Sequence, residues 1–330
     1  MKKRLIAVAI AATLLVISIL MQSISFLTSD TFKETSSGMF SDEQGPKEEV
    51  IENGSSASRI AKVNVEGTIM SNQGSNPFGS QGYNHSSMME QLDEIKKDDT
   101  IEGVLLYVNS PGGGVHESAQ LHEKLKEIKD EGKKLYVSMG GMAASGGYYI
   151  STPADRIFAS EETFTGSLGV IMQNTNYKEL ANEYGIKFNT FKSGEFKDIM
   201  SPTKDMTEED REIIQSLVDE SYQGFVDVIS NGRDMPKEKV RELADGRIYS
   251  GQQAVDNGLI DSIGFEDDAM NALKKEVGGN PEVIELKPAT ESLFGIPFDV
   301  KSFMPNSEVR LIEEMIQDRQ GPRLMYKYTE

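Results

Sequence analysis

The chain has 330 residues, with 34 Lys and Arg against 53 Asp and Glu, a formal net charge of −19, three His, no Cys and no Trp. That length holds one large or two ordinary domains with a sizeable core. The charge excludes a nucleic-acid surface, which needs clustered Lys and Arg; the lack of Cys excludes disulfides, thiolate metal sites and a thiol nucleophile. At the N-terminus Lys2, Lys3 and Arg4 precede an uncharged, mostly apolar run over residues 5–27. About 20 apolar residues span a bilayer, whereas the apolar part of a signal peptide has about 7–15. The strong part, residues 5–21, falls between the two, so an uncleaved anchor and a cleaved signal both stay open. No Ala-x-Ala site follows, which favours the anchor. Its leading basic cluster puts the N-terminus in the cytoplasm and the remaining chain outside.

Residues 28–58 are polar and rich in Ser, Gly and Glu, which predicts a flexible linker. Order is expected from Arg59, where Ile60, Val63 and Val65 introduce a short strand. A Gly/Asn/Ser loop over 71–84 follows, then an amphipathic helix carrying Met88, Met89, Leu92 and Ile95. The near-continuous apolar run 101–108 predicts a strand buried on both faces. Residues 115–131 read as a helix with Leu121, Leu125 and Ile128 on one stripe, 134–139 as a strand and 143–150 as a short apolar helix. Short strands are expected at 157–159 and 168–170, a helix near 177–184 and a further element at 186–191. This alternation predicts an α/β domain with largely parallel strands and right-handed crossovers. The second half turns helical. Thr207 caps a helix with Glu208, Glu209 and Asp210 in its first turn, and Ser250 with Gln253 opens a short helix stopping at Gly258. Another helix covers about 266–277. Beyond Pro281 the chain reads as irregular, with a last helix near 308–318 and a polar tail.

Three Gly-bearing segments fall at strand ends, where α/β folds place ligands. Asn109-Ser110-Pro111-Gly112-Gly113-Gly114 lacks both a dinucleotide fingerprint and the Lys of a P-loop. Its glycines form either a plain tight turn or a place where backbone N–H groups approach a ligand, as an oxyanion hole requires. In Met142-Ala143-Ala144-Ser145-Gly146-Gly147-Tyr148-Tyr149, Ser145 begins a helix among small residues. It is either a packing residue or a nucleophile near helix N–H dipoles. A serine nucleophile needs a base. His85, His116 and His122 are the three histidines, and the last two, six residues apart, fall on different sides of one helix and read as surface residues. Lysine is the alternative, because a desolvated amine can serve as a neutral base. Phe191-Lys192-Ser193-Gly194-Glu195-Phe196-Lys197-Asp198 offers Lys197, flanked by Phe196, Ile199 and Met200, with Lys192 competing. Glu195 and Asp198 would keep Lys197 charged if they faced it.

Taken in this order behind an N-terminal anchor, the segments resemble the signal peptide peptidase A family of Ser/Lys peptidases, related in fold to the Clp protease and crotonase group. The resemblance covers roughly residues 59–280. It implies an α/β, Clp protease/crotonase-like domain with mostly parallel strands and a helical extension, preceded by a transmembrane helix. Residues 1–27 would be a cytoplasmic tip and anchor, 28–58 a linker, 59–280 the peptidase domain and 281–330 a C-terminal extension and tail. The resemblance implies Ser145 as nucleophile and Lys197, rather than Lys192, as base. Ser167, in Thr165-Gly166-Ser167-Leu168-Gly169, would orient the lysine amine, and Gly112 and Gly146 would supply oxyanion N–H groups. Asp245-Gly246-Arg247, running on to Asp261, matches a further family segment of structural role. No metal and no cofactor are implied. Substrates would be remnant signal peptides and other unfolded apolar peptides at the outer face of a bacterial cell membrane. One copy of the domain, where some members carry two in tandem, implies a homo-oligomeric ring with active sites completed between subunits. The polar tail is a candidate to reach a neighbouring site. The rival readings are a crotonase-type acyl-CoA enzyme and an inert peptide-binding scaffold.

Overall fold

The computed structural model of the chain describes residues 46–71, 83–287 and 324–328, all within one compact unit. The expected anchor, the expected linker up to residue 45 and the helix expected near 308–318 lie outside the described residues. Among the described residues no helix is long and apolar enough to cross a membrane.

The sheet grows from strands buried on both faces. β1 (Lys47–Glu52), β2 (Ser55–Glu66), β3 (Ile101–Ser110), β5 (Lys134–Ala144), β6 (Arg156–Ala159), β9 (Ser262–Ile263) and β10 (Pro281–Lys287) stand in the order β1-β10-β2-β3-β5-β6-β9. All neighbours on this path are parallel except β1 and β10. On β3, Val104, Leu106 and Val108 enter one core and Leu105 the other, so the unbroken apolar run reflects two covered faces. The larger core lies under α1 (His85–Lys97), α2 (Val115–Asp130), α3 (Gly146–Ser151) and α5 (Glu208–Gly232); the smaller lies under α8 (Glu266–Val277). Between α3 and α5 the chain adds β7 (Phe164–Gly166) and the short α4 (Lys178–Glu183); after α5 come α6 (Lys237–Leu243), β8 (Ile248–Ser250) and α7 (Gly251–Asp256). β7 prolongs the sheet beside the far end of β5 and pairs antiparallel with β8, which gives the segment after Asp245 its structural place. The caps expected at Thr207 and Ser250 both form as reciprocal capping boxes.

Several expected elements come out differently in the structure. Lys47–Glu52, inside the stretch expected to be linker, is an edge strand with every residue exposed, and β2 begins at Ser55 rather than Arg59. Edge pairing needs only backbone groups, so apolar patterning does not announce it. Beyond Pro281 the chain is not irregular: β10 inserts between β1 and β2 and buries Val283, Ile284 and Leu286. The strand expected at 168–170 lies at Phe164–Gly166, and Leu168 is buried as core packing. Residues 186–191 form no strand; Ile186, Phe188 and Phe191 are exposed. Because Ile284 is fully buried on the inserted strand, Ile284→Ala should lower the unfolding free energy by about 2–5 kcal/mol, read by urea denaturation.

Candidate active site

β5 runs to Ala144 and α3 begins at Gly146, leaving Ser145 as the only residue of the turn. Its φ is +53°, in a region that costs a residue with a side chain about 1–3 kcal/mol and persists only where the surroundings enforce it. Here the Ser145 N–H donates to the Gly166 carbonyl at 2.8 Å, and its own carbonyl accepts from the Tyr149 N–H at 2.8 Å. The side chain is buried. On the neighbouring strand, β7 ends at Gly166 and Ser167 likewise has a positive φ, +50°, its N–H held by the Arg247 carbonyl at 2.7 Å. Among the described residues only Ser145, Ser167 and Asp234 combine a side chain with positive φ. Two of the three thus stand side by side at adjacent strand ends.

β4 (Gly112–Gly114) forms the facing wall. One edge is clasped by Ile69, whose N–H donates to the Gly112 carbonyl (2.9 Å) and whose carbonyl accepts from the Gly114 N–H (2.8 Å). The other edge pairs antiparallel with β11 (Met325–Lys327) from the C-terminal tail, whose outer side is closed by reciprocal bonds between Met325 and Ile171 at 2.9 and 3.0 Å. The Val115 N–H reaches the Leu324 carbonyl at 3.3 Å and the Tyr328 N–H the Pro111 carbonyl at 2.9 Å. Antiparallel bonding alternates in steps of two, so Gly113 and Tyr326 are the hydrogen-bonded pair between them. A Cβ placed on Gly146 would lie 3.0 Å from both the Gly113 nitrogen and the Tyr326 oxygen. A Cβ on Gly112 would lie 2.6 Å from the Gly146 nitrogen, and the Gly112 N–H donates to the Ser110 hydroxyl at 3.1 Å.

The Tyr326 side chain fills a pocket between Tyr149 (centroids 4.9 Å) and Phe225 (4.6 Å), its hydroxyl donating to the Ser221 carbonyl at 3.2 Å. His122 is not the surface residue expected: its ring packs edge-on against Tyr149 at 5.2 Å, and burial lowers its pKa to about 4. His85 is buried, with Nδ1 bonded to the Tyr83 hydroxyl at 2.5 Å and Nε2 to Gln120 Oε1 at 2.9 Å; His116 is exposed. Among the described residues no cluster of His, Asp and Glu has a metal site's arrangement.

The lysine segment is held by its own set of ion pairs. Lys192 Nζ donates to Asp198 Oδ1 at 2.8 Å and to the Glu195 carbonyl at 2.7 Å, and Lys204 joins Asp198 to Asp210 at 3.1 Å each. Hydrogen bonds from Lys192 and Lys204 hold the Asp198 carboxyl below the usual carboxylate range. Lys197 is exposed and, among the described residues, makes no side-chain hydrogen bond or ion pair. The structure thus brings Ser145, Ser167, Gly112, Gly113 and Gly146 together, and no hydrogen bond joins Lys197 to them.

Comparison with known proteins gives two overlapping matches: residues 127–280 to peptidase family S49 and residues 77–162 to Clp protease. The chain is 44% identical over 279 residues to the "Putative signal peptide peptidase SppA" of Enterococcus faecium, covering 83% of this chain and 81% of the relative. It is 38% identical to the "Putative protease MJ0651" of Methanocaldococcus jannaschii, over 73% of this chain and 78% of the relative. "Protease 4" of Haemophilus influenzae is 32% identical over 66% of this chain, which spans only 35% of that protein.

A Cβ on Gly112 would fall 2.0 Å from the Tyr326 carbonyl oxygen, at a backbone φ of +97° that disfavours any side chain. Gly112→Ala should therefore detach β11, raising amide exchange at Tyr326 and Tyr328 by about tenfold or more while exchange in β3 stays unchanged.

Proposed function

The chain belongs to peptidase family S49 and is a serine endopeptidase, and from that premise we propose that Ser145 is its nucleophile and Lys197 its general base. The observation that carries this is the pair of strained serines, Ser145 and Ser167, locked together by the Ser145 N–H to Gly166 carbonyl bond. Strain of this kind concentrates where function requires a fixed side chain. Neutral Lys197 takes the proton from Ser145 Oγ, which attacks the peptide carbonyl; the N–H groups of Gly113 and Gly146 stabilise the oxyanion. The amine product leaves with a proton from the Lys197 ammonium. Water, deprotonated by Lys197, then hydrolyses the acyl-enzyme. Ser167 orients the lysine amine. Lys192 is unsuited to the base role because its ammonium is engaged by Asp198.

Lys197 is exposed, and its segment carries Leu180, Tyr184, Ile186, Phe188 and Phe191, all exposed. Such a surface suits burial against a second copy, so the active sites are read as completed between subunits of a homo-oligomeric ring. The peptide substrate adds a strand where β11 lies, between Gly112–Gly114 and Ile171, with an apolar or aromatic side chain between Tyr149 and Phe225. Main-chain pairing requires an extended, unfolded segment. Remnant signal peptides and other unfolded apolar peptides fit that requirement. Residues 1–27 would anchor the enzyme in a bacterial membrane as a single-pass protein, with residues 46–287 as the extracytoplasmic peptidase body.

Hydrolysis of an unfolded, apolar fluorogenic peptide should disappear in both Ser145→Ala and Lys197→Ala. Co-assembling the two variants should restore about a quarter of wild-type activity, the share of interfaces pairing an intact serine with an intact lysine. No recovery in the mixed assembly would place both residues on one subunit. Ending the chain at Arg323 should lower KM for a short peptide by about 3- to 10-fold at unchanged kcat, because a tethered competitor is removed.

A further inference from the structure

Glu117 lies one turn into α2 and is buried, although neither the fold nor the proposed chemistry has used its charge. Its Oε1 accepts from the Ser71 N–H at 3.2 Å and from the Ser71 hydroxyl. Ser71 stands two residues after Ile69, whose N–H and carbonyl clasp Gly112 and Gly114. The other carboxylate oxygen lies against β4 directly: a Cβ on Gly114 would fall 2.0 Å from Oε2. One carboxylate thus touches the glycine strand and holds the segment that pairs with its back edge. Burial opposes its ionisation, yet hydrogen bonds from Ser71 and the helix's own N–H, with His85 nearby, keep the carboxyl below the usual carboxylate range. The groups facing it are Tyr83 and His85, which bond each other, with His85 tied on to Gln120 of the same helix. A buried charge this well satisfied by one neighbour is expensive to orphan, which makes the arrangement stiff.

We infer that Glu117 is a positioning residue for the oxyanion hole: through Ser71 and Ile69 it sets the register and height of Gly112–Gly114, and hence the aim of the Gly113 N–H. The effect on catalysis rests on the reading of Gly113 and Gly146 as oxyanion donors; the effect on the strand does not. A donor displaced by a fraction of an ångström still lets peptide bind but stabilises the tetrahedral state poorly. The expected signature is a fall in kcat at nearly constant KM.

The full chain is compared with Glu117→Ala, Glu117→Gln, Ser71→Ala and the double variant Ser71→Ala/Glu117→Ala. Rates are normalised to sites titrated with a fluorophosphonate, so a misfolded fraction does not count. Glu117→Ala should lose roughly 10- to 100-fold in kcat with KM within about twofold. Glu117→Gln, which keeps an acceptor for Ser71, should recover most of it. The double variant should be no worse than Glu117→Ala, since both remove one contact. Amide exchange at Ile69 and Gly114 should quicken in Glu117→Ala while β3 stays protected. Unchanged exchange at these two amides, unchanged kcat per titrated site, or additive losses in the double variant would each overturn the inference. If exchange quickens but wild-type Ser145 takes up no fluorophosphonate, the hold of Glu117 on the glycine strand stands and the proposed reading of Ser145 as nucleophile fails.

Discussion

The bond from the Ser145 N–H to the Gly166 carbonyl is the constraint on which the site is built. It extends the ladder between β5 and β7 one residue beyond Ala144, at the point where both strands turn away from the sheet. Each chain then needs a residue with positive φ, and in both cases that residue is a serine. At about 1–3 kcal/mol each, these conformations require an enforcing environment. All six residues of α3 are buried, Tyr148 ties its hydroxyl to the Leu259 carbonyl at 2.7 Å, and Arg247, just before β8, holds Ser167 from the other side. Strain at the site is offset by packing immediately behind it.

The groove facing these serines is shaped by what surrounds three glycines. A side chain on Gly112 would strike the Tyr326 carbonyl, on Gly113 the Ile69 carbonyl and on Gly114 the Glu117 carboxylate. Three separate neighbours thus demand the same residue type, for one strand that must accept a partner along its open edge. Recognition through backbone pairs is indifferent to side chains, so selectivity falls to pockets beside the strand. On the proposed reading the Tyr149–Phe225 cleft is such a pocket, and the chain's own Tyr326 ring packs there.

Much of this was legible in the sequence because periodicity and small-residue signals are local. The unbroken run of β3, the stripe of α2 and both capping boxes read directly, and Ser145 stood out as a serine opening a small-residue helix. The misreadings share a cause: they concern pairing, which is non-local. β1 has no buried residue and β10 joins the sheet across more than 200 residues, so neither leaves a pattern near its pairing partner. Glu117 looks like an ordinary acid in a first helical turn until Ser71 is seen above it. His122 read as a surface residue because its packing partner, Tyr149, comes from another element.

A lysine becomes a base only when water is stripped from its amine and no carboxylate keeps it charged. The second condition is met within one chain. Asp198, adjacent to Lys197 in sequence, is already claimed by both Lys192 and Lys204. The first condition is not, because Lys197 stands exposed beside apolar side chains that are themselves exposed. On the proposed reading, one event satisfies both needs: covering that apolar segment with a second copy removes water from the amine and hides the exposed rings. The formal charge of −19 on each copy opposes association. On that reading assembly rests on apolar area rather than long-range attraction, which would tie formation of the base to formation of the oligomer and would leave a lone subunit with a strained serine and nothing to deprotonate it.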